Sequence, residues 1–327
     1  MSEPHGTQKV VHPMVLVRRA HVALVLSGLL LAVTACGGSS DSFNSSSSGS
    51  KGDITLSGQD FTEMKIMSEM YKQVLENAGY NVDLKLVKTR DVYIPELESG
   101  NVQVVPEYLS GIADKLNLDQ NGPNAKPVTT NDATASLAAL KPLADQAGIT
   151  MLDPSQATDQ NAFAVKTDFA QQNSLTTLSD LAALNQPLVL AAADDCKDRT
   201  DCAKGLSDVY NLDITKILPL GFATTQTKDS VIKGEAQLGE TYTTDGSVDQ
   251  LGLTILEDDK GIQPAQNLIP AVNSDFLASH PDVGDALNKL SGTLTTQDLS
   301  GLDLKVDVDR ADPATVAKDY LTSKGLI

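Results

Sequence analysis

The sequence has no tryptophan, only 4 histidines and 3 cysteines, and aromatic residues fill 4% of its 327 positions. Beyond the N-terminal segment His280 is the only histidine, so the usual general base and the usual partner of a serine or cysteine nucleophile are nearly absent. A metal centre lacks ligands for the same reason. Asp258 and Asp259 are adjacent, and on a strand they point to opposite faces, so they do not make a catalytic carboxylate pair. An enzyme is therefore not expected, nor is any cofactor or metal. Basic residues are scarce as well: 25 Lys and Arg stand against 43 Asp and Glu, a net charge of −18, which argues against nucleic acid or anionic lipid as partners. Only one long apolar run occurs, and neither an internal repeat nor a coiled-coil heptad is present.

That run, Val22 to Val33, follows Arg18 and Arg19 and is too short to span a bilayer comfortably, which is the signature of a signal peptide over residues 1–35. Met14 as the start would give a more typical, shorter signal. The run ends in Val33-Thr34-Ala35-Cys36, followed by Gly37-Gly38 and a Ser/Gly-rich stretch. This resembles a bacterial lipobox. In that reading Cys36 carries a diacylglycerol and residues 36–52 form a flexible tether, holding the protein on the outer face of the cytoplasmic membrane by its lipid alone. A plain secretory signal and an uncleaved anchor are the alternatives. Residues 1–35 hold three basic and one acidic residue, so the remainder carries 22 basic against 42 acidic residues, a net −20.

Cys196 and Cys202, with five residues between them in a chain bound for an oxidising compartment, are expected to form a disulfide. The loop is small, so the bond is worth roughly 2–3 kcal/mol at most and serves to fix one segment.

From Ile54 onward strand and helix signals alternate. Residues 54–56 read as a strand, and 62–78 as a helix with Ile66, Met67, Met70, Tyr71, Val74 and Leu75 on one face, ended by Gly79. Alternating Val82, Leu84 and Leu86, a helix over 91–98 and a buried-type strand over 102–105 continue a βαβαβ pattern, which implies a mostly parallel sheet covered by helices. A polar stretch over 118–132 precedes a helix bearing Leu137, Leu140 and Leu143. A second α/β series then runs through strands at 163–165, 188–191, 236–242, 253–256 and 268–272, with helices at 178–184, 205–210, 283–292 and 315–324. Two series of this size suit two lobes, sequential or interleaved.

Five segments carry a family resemblance. Gly58-Gln59-Asp60-Phe61-Thr62-Glu63 resembles a G-x-N-F-T-E-Q turn, Val105-Pro106-Glu107-Tyr108 a P-E-Y motif, and Asp159 to Val165 a D-x-x-A-x-A-V motif. Tyr242-Thr243-Thr244-Asp245-Gly246 is similar to Y-x-T-D-G, and Leu256 to Lys260 to L-x-D-D-K. Each is weak alone. In order, from Ile54 to Asp319-Tyr320-Leu321, they resemble the glycine betaine/choline-binding proteins. The resemblance implies an α/β, two-lobed type II periplasmic-binding-protein fold with a ligand cleft between lobes. It places lobe 1 at 54–153 and 246–327, lobe 2 at 154–245, and hinge crossings near 154–160 and 243–247. It further implies a monomeric solute-binding subunit that works with ABC permease subunits and closes on a small quaternary ammonium or similar osmoprotectant solute. An importer subunit for another polar or phenolic solute, or a ligand sensor, has the same fold.

A quaternary ammonium donates no hydrogen bond, so aromatic faces must hold it, each worth about 0.5–2 kcal/mol. The family uses tyrosines, and the resemblance puts Tyr108 and Tyr242 on two cage positions. At two more, Asn161 and Gln266 stand where the family has tyrosine. At about 1 kcal/mol per lost wall, two losses weaken binding roughly thirtyfold. Arg199, in the Cys196–Cys202 loop, is the expected donor to a ligand carboxylate, with pairing to Asp198 or Asp201 as its alternative. Gln59 and Asp159 complete the set as ligand contacts, or else as cap and hinge hydrogen bonds. For Tyr108 and Tyr242 the alternative is core packing, which is the reading for Tyr71, Tyr210 and Tyr320.

Overall fold

The computed structural model describes residues 50–327; the signal peptide, Cys36 and nearly all of the tether lie outside the described residues. The first strand–helix series is β1 (Asp53–Gln59), α1 (Thr62–Asn77), β2 (Asn81–Val87), α2 (Arg90–Glu98), β3 (Val104–Tyr108), α3 (Leu109–Asn121), α4 (Ala133–Gln146) and β4 (Ile149–Met151). The apolar face expected of α1 is buried at all six positions. Its exit is set by Gly79, at φ +104°, a conformation that a side chain would strain. Tyr71 is buried there, as Tyr210 and Tyr320 are in their helices.

The second series is β5 (Asn161–Lys166), α5 (Thr167–Asn173), α6 (Leu178–Ala183), β6 (Pro187–Ala192), α7 (Ala203–Tyr210), β7 (Asp213–Pro219), α8 (Thr225–Lys233), β8 (Leu238–Tyr242), α9 (Ser247–Gln250) and β9 (Leu253–Leu256). The chain then adds β10 (Leu268–Asn273), α10 (Ser274–Ser279), α11 (Pro281–Ser291), α12 (Thr296–Asp307) and α13 (Pro313–Ser323). Two five-stranded mixed sheets result, ordered β2-β1-β3-β10-β4 and β7-β6-β8-β5-β9. In each, one strand runs antiparallel to both its neighbours: β10 in the first, β5 in the second. Each sheet is packed by its own two apolar clusters, and among the described residues none joins the sheets. Separate cores let the two lobes move as bodies.

The crossings differ from the expected hinge in one place. The chain leaves the first sheet after β4, but it does not return at 243–247. Val248 of α9 packs with Ala164, Ala191, Val231 and Leu253 in a core of the second sheet, and β9 pairs with β5. Burying Val248 and Leu253 in that core holds residues 243–256 in lobe 2, so the boundary at 246 is corrected to the 257–267 segment between β9 and β10. The two crossings bond to each other: Thr158 bridges Asn267, Asp159 N donates to Gln266 O at 3.2 Å, and Gln160 Nε2 donates to Pro264 O at 2.7 Å. Lobe motion bends a paired ribbon rather than two loose strings.

Candidate ligand cleft

Gln59, Tyr108 and Tyr242 are the last residues of β1, β3 and β8. In sheets with parallel strands the carboxyl ends are where ligands bind. A pocket of about 270 Å³ opens there. Phe61, Thr62 and Glu63 enter it from the start of α1, Asp303 and Asp307 from α12, Asp159 and Thr244 from beside the crossing, and Phe222 and Tyr242 from the second lobe.

Each lobe supplies a stacked aromatic pair. Phe61 lies 6.4 Å from Tyr108 between ring centroids at an interplanar angle of 13°, and Phe222 lies 6.0 Å from Tyr242 at 29°. The phenylalanines are 39% and 43% exposed, wet apolar faces that a ligand would cover. Phe222 is projected by a tight turn: Gly221 and Ala223 on either side have φ of +96° and +51°. For Ala223 that left-handed conformation costs about 1–2 kcal/mol.

Behind the rings stand carboxylates. Tyr108 Oη donates to Glu63 Oε1 at 2.5 Å, Thr244 Oγ1 to Asp159 Oδ1 at 3.1 Å, and Thr62 Oγ1 to Asp307 Oδ1 at 2.6 Å. Glu63 and Asp303 are each 4% exposed, and Glu63 Oε2 and Asp303 Oδ1 have no donor. Burial pushes Glu63 up from the ordinary carboxylate range. Burial first, then repulsion from Glu63, raises Asp159 to about 8 and Asp303 to about 10. With no ligand bound, Asp159 and Asp303 therefore keep protons at neutral pH, because nothing positive faces them.

The remaining expected site residues stand elsewhere. Arg199 is held bidentately by Asp201, Nε to Oδ1 at 3.0 Å and Nη2 to Oδ2 at 2.7 Å, with Asp195 and Glu240 each 3.4 Å from Nη1. Asn161 Nδ2 donates to the same Asp201 at 2.8 Å, although its strand position is opposite Tyr242. Gln266 Oε1 accepts from Gly111 N at 3.1 Å, and Gln59 is half-buried. The structure bonds Cys196 to Cys202, fixing the Arg199 loop. Those cysteines with Glu240 are the one group of three possible metal ligands within reach of each other among the described residues, and their sulfurs are spent on one another. A second, more polar cavity of about 430 Å³ lies beside Asp201, with Asp114 and Gln263 in its wall.

Of the contacts expected from the sequence, Asp159 and Tyr242 line this pocket and Tyr108 is packed behind Phe61, whereas Phe61, Thr62, Glu63, Phe222, Thr244, Asp303 and Asp307 line it without having been expected. Phe61, Glu63 and Thr244 stand inside segments that carried the family resemblance, so a signal for them existed.

The family described as "Substrate binding domain of ABC-type glycine betaine transport system" matches residues 52–323. A carnitine transport binding protein of Listeria monocytogenes is 24% identical over 83% of this chain and 87% of its own. A glycine betaine-binding protein of Escherichia coli K12 is 29% identical over 81% of this chain and 88% of its own. The solved apo form of the Escherichia coli protein YehZ superposes with a TM-score of 0.73 at 25% identity, covering 84% of this chain and 99% of that one. With its two lobes, the cleft between them and a family match over nearly the whole described chain, the protein belongs to the substrate-binding domains of ABC-type glycine betaine transport systems.

Proposed function

We propose that this chain is the extracytoplasmic, lipid-anchored solute-binding subunit of an ABC importer, and that its solute is a quaternary-ammonium osmoprotectant held between Phe61 and Tyr108 of one lobe and Phe222 and Tyr242 of the other. The observation that carries the reading is an aromatic face from each lobe, Phe61 backed by Tyr108 and Phe222 stacked with Tyr242, at a pocket backed by carboxylates. The rings supply faces for methyl groups that cannot hydrogen-bond, and the carboxylates supply the charge. Closure about the paired crossings brings both walls onto one ligand, so binding favours the closed form by whatever contacts the open form lacks. Cys36 provides the membrane attachment and the permease subunits receive the solute from a monomer. The two phenylalanines take over from the tyrosines that Asn161 and Gln266 replace.

Calorimetric titration with glycine betaine, choline and carnitine tests the site. Phe61→Ala and Tyr242→Ala are each expected to weaken the best ligand about 2- to 30-fold, the value of one cation–π wall. Unchanged affinity in both variants would remove the rings from the site. A second reading has one observation behind it: Gln263 Oε1 and Asp114 Oδ1 are buried without donors at the wall of the 430 Å³ cavity, which suits a hydroxylated solute. A polyol that binds when no quaternary amine does would favour it.

A further inference from the structure

The family is described by glycine betaine, a zwitterion, yet the charges around this cleft are one-sided. No lysine or arginine lines the 270 Å³ pocket, whereas Glu63, Asp159, Asp303 and Asp307 all do. Lys305, between Asp303 and Asp307 in α12, is exposed and does not line the pocket. Arg199 is matched by Asp201 with Glu240 and Asp195 close behind, and Lys228 is paired with Asp245 at 2.5 Å. Gln59 at the end of β1 is uncharged. Glu63 Oε2 and Asp303 Oδ1, on side chains more than nine-tenths buried, meet no donor other than a proton held between the two acids themselves. Choline and glycine betaine present the same trimethylammonium head to the rings. They differ at the other end, a hydroxyl that donates to a carboxylate in choline and a carboxylate in glycine betaine. In glycine betaine that carboxylate would lie against carboxyls that the bound ammonium head draws toward their ionised form, with no lysine or arginine in the pocket wall to receive it.

We propose that this cleft selects solutes of net positive charge, of the choline type, over zwitterionic betaines, and that Glu63, Asp159 and Asp303 are the residues that determine this specificity. The selection rests on the proposed quaternary-ammonium site and narrows it. In discriminating by repulsion, the site acts against the wrong ligand as much as for the right one.

The test titrates the full-length protein at pH 8 with choline, tetramethylammonium and glycine betaine. Choline is expected to bind at least about tenfold tighter than glycine betaine, with tetramethylammonium on choline's side. Glu63→Gln and Asp159→Asn are expected to bring the ratio toward unity, chiefly by weakening choline. Removing like charges should leave the melting temperature unchanged or higher, and Asp307→Asn at the exposed rim repeats the test if a buried substitution fails to fold. Glycine betaine binding as tightly as choline, or a ratio that no variant moves, overturns the selectivity while leaving the aromatic site standing. Binding of none of the three overturns the site and the selectivity together.

Discussion

Lowering the pH from 8 to 6 weakens the binding of a cationic quaternary amine by about tenfold per unit, because the cation must displace a proton that the empty cleft retains. Asp159, buried and facing Glu63 and Asp245, titrates near 8. Asp303, buried and facing Glu63, Asp159 and Asp307, titrates near 10. A cation against them favours the ionised form, so proton release accompanies binding wherever the free site is protonated. The same proton acts on stability with opposite sense. Between the ordinary value of 3.8 and about 8 the folded chain holds a proton on Asp159 that the unfolded chain has lost. That contribution is full below the lower value and disappears as pH climbs through the upper one. The ligand-free melting temperature therefore falls over the interval in which affinity rises, and Asp159→Asn flattens both profiles. Titrations at pH 6, 7 and 8, beside melting curves at the same values, check this. An affinity independent of pH would mean that no carboxyl proton is displaced.

Replacing Arg90 with alanine destabilises the protein by about 3–5 kcal/mol, the cost of stranding a buried charge, and lowers its melting temperature on the order of 10 °C. Glu107 is completely buried on β3, and Arg90 Nε sits 3.0 Å from both its oxygens. Tyr93 Oη and Tyr108 N also donate to that carboxylate, the latter at 3.0 Å. Without the guanidinium a carboxylate remains in the core with no counter-charge. The cluster also fixes the backbone of Tyr108, so the loss reaches the aromatic wall. Arg90→Met combined with Glu107→Gln removes both charges and should recover much of the stability. Arg90→Ala melting within a degree or two of the parent would show the pair to be dispensable.

The parts of the fold that were legible in the sequence obey a simple period. α1 displays six apolar residues at helical spacing and a glycine stop, and β3 is an unbroken buried strand, so both were visible. α12 was not, because it breaks the rule that reveals amphipathic helices: Asp303, between Leu302 and Leu304, is buried, and Gly301 interrupts the helical pattern. Missing that helix hid half of the acidic wall. β7, with Asp213 and Lys216 among its residues, and the turn carrying Phe222 lack a clear period as well. The second crossing was misplaced for a different reason, since β9 looks the same to local pattern whichever sheet it joins. Its pairing with β5 is a long-range fact. Arg199 shows the limit of resemblance: the residue type is retained, yet its donors are taken by Asp201, a partner the sequence offered only as an alternative.

The structure of the protein grown with choline at pH 8 tests the central claim most directly. The account predicts closed lobes with the ammonium nitrogen within about 6 Å of the ring centroids of Phe61, Phe222 and Tyr242, and with the choline hydroxyl toward Asp159 or Asp303. Choline seated instead in the cavity beside Asp201, with the Phe61 and Phe222 faces still open to solvent, would contradict it.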